Sequence, residues 1–227
     1  MPQHQSRQPD PLNLKGILAQ CLRVERGGRA IIRDIGFELG AGEALLVLGR
    51  NGAGKSTLLR ALAGLLPLRG GEIRLDGSAV GTPLAELAHY VGHSDGLKAA
   101  LTALENLAFW SRMLSQAPDG ALSPQAALQK VGLARVGDFP VAYLSAGQKR
   151  RVALARLFVA PRPIWLLDEP ATALDVGSQE IFAQSMAAHR ASGGFIIAAT
   201  HAPLGLVDAK ELRLDVAKPT QGMESAA

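Results

Sequence analysis
The sequence predicts an α/β domain, a mostly parallel sheet with helices on its faces and a helical insertion. Three observations carry this. An apolar run, Ala44 to Leu48, leads through a glycine-rich loop into a segment with helical spacing of its leucines. Two more short apolar runs, Ile164 to Leu167 and Phe195 to Ala199, are separated by amphipathic segments, which is the alternation of buried parallel strands with helices. Between these two α/β parts the stretch from Leu101 to Tyr143 reads as mainly helical.

In chain order, Ala30 to Leu39 reads as a strand, with Ile31, Phe37 and Leu39 apolar and Arg33 and Glu38 between them. Gly40 to Glu43 turns the chain into the buried strand Ala44 to Leu48. After the loop, Lys55 to Leu66 carries apolar residues at 58, 59, 62, 65 and 66, a helix that Pro67 is expected to end. Gly71 to Leu75 with the Asp76-Gly77 turn reads as a short hairpin element. Ala88 to Val91 is a short strand, and Thr102 to Met113 a helix with Thr102 as N-cap and Glu105 as its capping-box partner. A loop from Ser115 leads to a short helix, Pro124 to Val131. Gln148 to Val159 and Val176 to His189 complete the helices, and Glu211 to Leu214 is expected as a last edge strand.

The chain has 227 residues, enough for one buried core and too few for two domains of this class. With 48% hydrophobic and 19% charged residues it is not a disordered chain. No run of 18 apolar residues suggests a membrane span, and Met1 to Asn13 lacks the apolar core of a signal peptide, so a cytoplasmic location is expected. The net charge of +4 is mild and gives no reason to expect nucleic acid as a partner. Cys21 is the one cysteine, which excludes an internal disulfide, and it reads as a half-buried strand residue.

The run Gly49-Arg50-Asn51-Gly52-Ala53-Gly54-Lys55-Ser56 fits G-x-x-x-x-G-K-[ST] completely, with a strand before it and a helix after. Its glycines let several backbone N–H groups face one anion, and the helix start adds dipole and free donors. Lys55 brings positive charge to the β- and γ-phosphates, Ser56 is a Mg²⁺ ligand, and Thr57 lies just behind. The strand Ile164 to Leu167 ends in Asp168-Glu169, where the sheet rule places ligands. Two adjacent carboxylates favour a cation, so Asp168 is a metal candidate and Glu169 the residue that orients the attacking water. A solvated Asp-Glu-Pro turn is the competing reading.

Leu144-Ser145-Ala146-Gly147-Gln148, just before the acidic strand, resembles the signature of ATP-binding cassette ATPases. Ala173-Leu174-Asp175 looks like that family's D-loop and Thr200-His201 like its switch histidine, in the family's order. The resemblance runs from about Leu18 to Leu214 and implies a P-loop NTPase fold over 14–215, with an antiparallel N-terminal subdomain, a helical subdomain at about 97–145, and flexible tails at 1–13 and 216–227. It implies ATP and Mg²⁺ as ligands and a head-to-tail homodimer. Lys55, Ser56, Asp168, Glu169 and His201 of one subunit would face Ser145 and Gly147 of the other, with Glu169 and His201 catalytic.

Two positions depart from the general family pattern. His93 stands where a metal-contacting glutamine is usual, and Val24 to Arg29 offers no aromatic residue for adenine. Arg26 could stack through its guanidinium plane instead, which leaves GTP or CTP use open. With Gly92-His93-x-x-Gly96-Leu97-Lys98 and the run Ser145 to Leu157, these positions resemble the ATP-binding subunit of the haem exporter of cytochrome c-type biogenesis. That resemblance implies a peripheral subunit at the cytoplasmic face of the inner membrane, held there by polytopic membrane subunits and a haem-chaperone assembly. Its hydrolysis would free a haem-loaded periplasmic chaperone. The His93 region and helical insertion would touch the membrane subunits. A subunit of another exporter, or a soluble cassette ATPase of translation or DNA repair, are the alternatives. His4, His89, His93 and His189 have no paired spacing, so no haem is expected on this chain.

Overall fold
The computed structural model describes residues 14–114 and 120–214; the expected tails and part of the Ser115 to Pro124 loop lie outside the described residues. Among the described residues eight strands form two sheets. The first is antiparallel and three-stranded, β1 (Gly16–Arg26), β2 (Arg29–Gly40) and β4 (Gly70–Asp76), with β1 in the middle. The second is all parallel, in the order β5 (Ala88–Val91), β6 (Ile164–Asp168), β7 (Phe195–Ala199), β3 (Ala44–Leu48) and β8 (Lys210–Arg213). Every residue of β6 and β7 is buried, as strands covered on both faces must be. β8 lies at the edge, where its polar residues meet water.

Helix α1 (Lys55–Leu62) follows the glycine loop and packs between the two sheets, with Leu58, Leu59 and Leu62 buried in the larger core. It is shorter than its leucine spacing predicts. Gly64 takes the left-handed conformation at φ 70°, the Gly64 and Leu65 amides donate to the carbonyls of Ala61 and Arg60, and the helix closes before Pro67 is reached. Leu65 is left exposed by this ending.

Helices α2 (Ala103–Met113) and α3 (Pro124–Lys130) form the helical insertion. The expected capping box at Thr102 and Glu105 is present. Ala103, Leu107, Leu128 and Val141 pack with Val152, Ala155 and Val159 of α4 (Ala146–Val159). Leu154 and Leu157 of α4 pack instead with β6, β7 and α5 (Val176–Ala191). One helix therefore joins the insertion to the parallel sheet.

Two local expectations are corrected. Gly71 to Leu75 is not a hairpin element; it pairs with β1, some fifty residues upstream, because β4 completes the antiparallel sheet. Cys21 is exposed, not half-buried: the register shifts between Ala19 and Leu22, and Cys21 sits there with φ 50°, which turns it out of the alternation. Among the described residues no helix is long and apolar enough to cross a membrane.

Candidate active site
The carboxyl ends of β3, β6 and β7 lie side by side and bring together residues 49–57, 168–169 and 200–201. The glycine loop is built where no side chain fits. A Cβ on Gly49, at φ 150°, would stand 2.5 Å from the Leu214 carbonyl, and one on Gly54, at φ 103°, would meet Ile32 at 2.9 Å. Gly54 is the N-cap of α1, supplies no side-chain acceptor, and is followed by no acid in the first turn. The helix thus presents its first amides and dipole without a competing carboxylate, the arrangement that suits an anion.

Lys55 is buried, and its Nζ donates to the carbonyls of Gly49 at 2.7 Å and Arg50 at 3.3 Å. His201 Nε2 lies 3.0 Å from Lys55 Nζ and 2.9 Å from Asn51 Oδ1. The ammonium can only donate and the amide carbonyl can only accept, so the two contacts call for opposite tautomers of the ring.

Asp168 and Glu169 are adjacent but differ in depth. Asp168 is 2% exposed and accepts from Ser56 Oγ at 3.0 Å and from the Tyr90 hydroxyl at 3.3 Å. Glu169 is more open; its backbone is left-handed at φ 50°, and its carboxylate accepts from the His201 amide at 3.4 Å and lies 3.7 Å from His201 Nε2. Ser56 Oγ and Asp168 are hard oxygen donors joined in one spot, the donor type Mg²⁺ takes.

The sequence-predicted residues are not all gathered here. His93 is exposed on the loop after β5, and no hydrogen bond among the described residues links it to Ser56 or Asp168. Arg26 is exposed at the end of β1 beside the Gly27-Gly28 turn. Ser145 is the exposed N-cap of α4; its Oγ accepts from Gln148 N, and Gln148 Oε1 accepts from Ser145 N. The cap leaves the Ala146 and Gly147 amides without an intrahelical acceptor. A Cβ on Gly147 would lie 2.7 Å from the Ala173 carbonyl, so the signature turn rests on the 172–175 turn of the same chain.

Sequence reasoning missed Tyr90 and Arg60. Arg60 Nε donates to the Tyr90 hydroxyl at 3.3 Å, and Tyr90 in turn donates to Asp168. Burial raises the Tyr90 pKa, which keeps the phenol protonated as a donor. The available signal was position: Tyr90 is the penultimate residue of the strand beside β6.

The ABC transporter family profile matches residues 32–172. The chain belongs to this family. A relative, the cytochrome c biogenesis ATP-binding export protein CcmA of Rhodopseudomonas palustris (strain BisB5), is 54% identical over 196 residues, covering 86% of this chain and 96% of the relative. A solved ATP-binding subunit of an ABC transporter superposes with a TM-score of 0.76 at 24% identity, covering 89% of this chain and 88% of its own. A second cassette, solved as a dimer in a post-hydrolysis state with ADP and Pi, superposes at 0.71 with 23% identity, covering 89% and 97%. These two likenesses establish the fold, and the antiparallel sheet, parallel sheet and helical insertion are those of the ABC ATPase. The chain is an ATP-hydrolysing ABC transporter subunit related to CcmA.

Proposed function
We propose that this chain is the ATPase of the haem exporter of cytochrome c-type biogenesis. It would work as a head-to-tail homodimer on polytopic membrane subunits, at the cytoplasmic face of the inner membrane. Its hydrolysis would power release of a haem-loaded periplasmic chaperone. The observation that carries this reading is the 54% identity across nearly the full length of a CcmA protein.

In this reading residues 49–57 hold the triphosphate, with Lys55 neutralising its β- and γ-phosphates. Ser56 and Asp168 hold Mg²⁺, which when bound supplies charge to stabilise the phosphoryl oxygens. Glu169 orients and polarises the attacking water, and His201, beside both Glu169 and Lys55, contacts the γ-phosphate. Arg26 takes the base, and His93 faces the membrane partners. Ser145 and Gly147 close over the nucleotide of the partner subunit. The exposed cap of α4 supports this last assignment, since its first amides stand at the surface with no intrahelical acceptor, open to a group from another chain.

Two experiments test the reading. Glu169→Gln should lower kcat by roughly 10²- to 10⁴-fold and leave ATP affinity within about threefold. Undiminished hydrolysis would remove Glu169 from its role. Isolation of the intact complex from membranes should yield the membrane subunits of cytochrome c maturation; recovery of an unrelated permease would contradict the haem-export assignment.

A further inference from the structure
Arg150, on the second turn of α4, is 3% exposed and makes five hydrogen bonds. Nε donates to the Pro170 carbonyl at 3.1 Å. Nη2 donates to the carbonyls of Asp168 at 3.0 Å and Glu169 at 2.8 Å. Nη1 donates to the Gly92 carbonyl at 2.8 Å and to Asp95 Oδ1 at 3.1 Å. A guanidinium has five N–H groups, so every donor is used.

Three consecutive carbonyls, of residues 168, 169 and 170, converge on this one planar fork. In extended backbone, successive carbonyls point to opposite sides. They converge here because Glu169 is left-handed, at φ 50°, a conformation that a non-glycine residue keeps only where its surroundings hold it. The same fold of the chain sets the Glu169 carboxylate against the His201 amide. The remaining two bonds of Arg150 hold Gly92 and Asp95, on either side of His93.

We propose that Arg150 is a positioning residue for ATP hydrolysis: its guanidinium holds the Glu169 backbone in the conformation that aims the carboxylate, and ties it to the 92–95 loop and the signature helix. The inference rests on the reading of Glu169 as the water-orienting group. Arg150 touches no reacting atom. It fixes where Glu169 stands, and through α4 it links that placement to the Ser145 cap one and a half turns away. Lysine would keep the charge but offers three donors on one atom, which cannot serve carbonyls spread across a fork.

The test uses the full chain and compares Arg150→Gln, Arg150→Lys, Glu169→Gln and the Arg150→Gln/Glu169→Gln double variant. ATP affinity is read by equilibrium binding and hydrolysis by single-turnover rates. Arg150→Gln is expected to lower kcat at least about tenfold with ATP affinity within about twofold, and Arg150→Lys is expected not to restore the rate. In the Glu169→Gln background the Arg150 change should cost no further rate, because both act through one carboxylate. Wild-type kcat in Arg150→Gln, full rescue by lysine, a parallel fall in affinity and rate, or additive losses in the double variant would each overturn the proposal. If Arg150→Gln does not fold, the isocharged Arg150→Lys carries the same comparison. Should Glu169→Gln alone retain full activity, the reading of Glu169 fails instead.

Discussion
At the residue scale the site works by giving two neighbouring carboxylates different surroundings. Asp168 is sunk below Ser56 and held by the Tyr90 phenol, while Glu169 is turned out toward His201. Lys55, Ser56, Asp168 and Glu169 were legible in the sequence because each belongs to a local pattern whose chemistry sets its spacing, whereas His201 was read only through its resemblance to the family's switch histidine. Tyr90, Arg60 and Arg150 were not. Each acts through a partner far along the chain, 78 residues away for Tyr90 and Asp168, and no local spacing encodes that. His93, read from its motif position as a metal ligand, stands exposed on the loop after β5 with no hydrogen bond among the described residues to Ser56 or Asp168. Tyr90→Phe removes one hydrogen bond to Asp168 and should raise the Mg²⁺ concentration for half-maximal hydrolysis roughly tenfold. An unchanged Mg²⁺ dependence would mean that Ser56 alone orients Asp168.

At the element scale, strand and helix identities outside β1, for which the sequence reading gave no bounds, followed from pattern and length, and β6 and β7 were readable because both their faces are buried. The antiparallel sheet was harder. β4 carries alternating partly exposed residues and pairs with a strand remote in sequence, so its local signal fits a hairpin as well. Helix α1 ends early because a glycine motif closes it before proline can. The capping box of α2, by contrast, is wholly local and was readable in full. Thr102→Ala should cost about 1 kcal/mol of stability by denaturant titration. Asn106 anchors the same turn, donating to the carbonyls of Lys98, Leu101 and Thr102. A loss below about 0.3 kcal/mol would show that Asn106 alone secures the helix start.

At the scale of the whole molecule, α4 links three parts: the insertion, the parallel sheet and the signature turn. Two histidines, His89 buried and His189 half-buried, tie the stability of the chain to pH. Burial lowers the pKa of His89 to about 3 and of His189 to about 4; His189 stacks on Trp165 at 3.9 Å between ring centroids. Below the ordinary histidine pKa of about 6.5 the unfolded chain binds protons that the folded chain refuses. Their contribution is thus complete above about pH 6.5 and is lost as pH falls toward 4 and then 3. The denaturation midpoint should fall between pH 7 and pH 5. His189→Phe, which keeps an aromatic ring against Trp165, should flatten that fall; an equal slope in the variant would exclude His189 as a source.

In the proposed dimer each active site is completed by the signature turn of a partner. This is tested most directly by mixing two inactive chains, Lys55→Ala and Ser145→Arg, in the assembled complex. A mixed head-to-tail dimer restores one whole site: Lys55 from one chain meets Ser145 from the other. Recovery of about a quarter of wild-type hydrolysis is expected, since half the dimers are mixed and each has one intact site. No recovery on mixing would place Ser145 and Lys55 in the same site of one chain and contradict that arrangement.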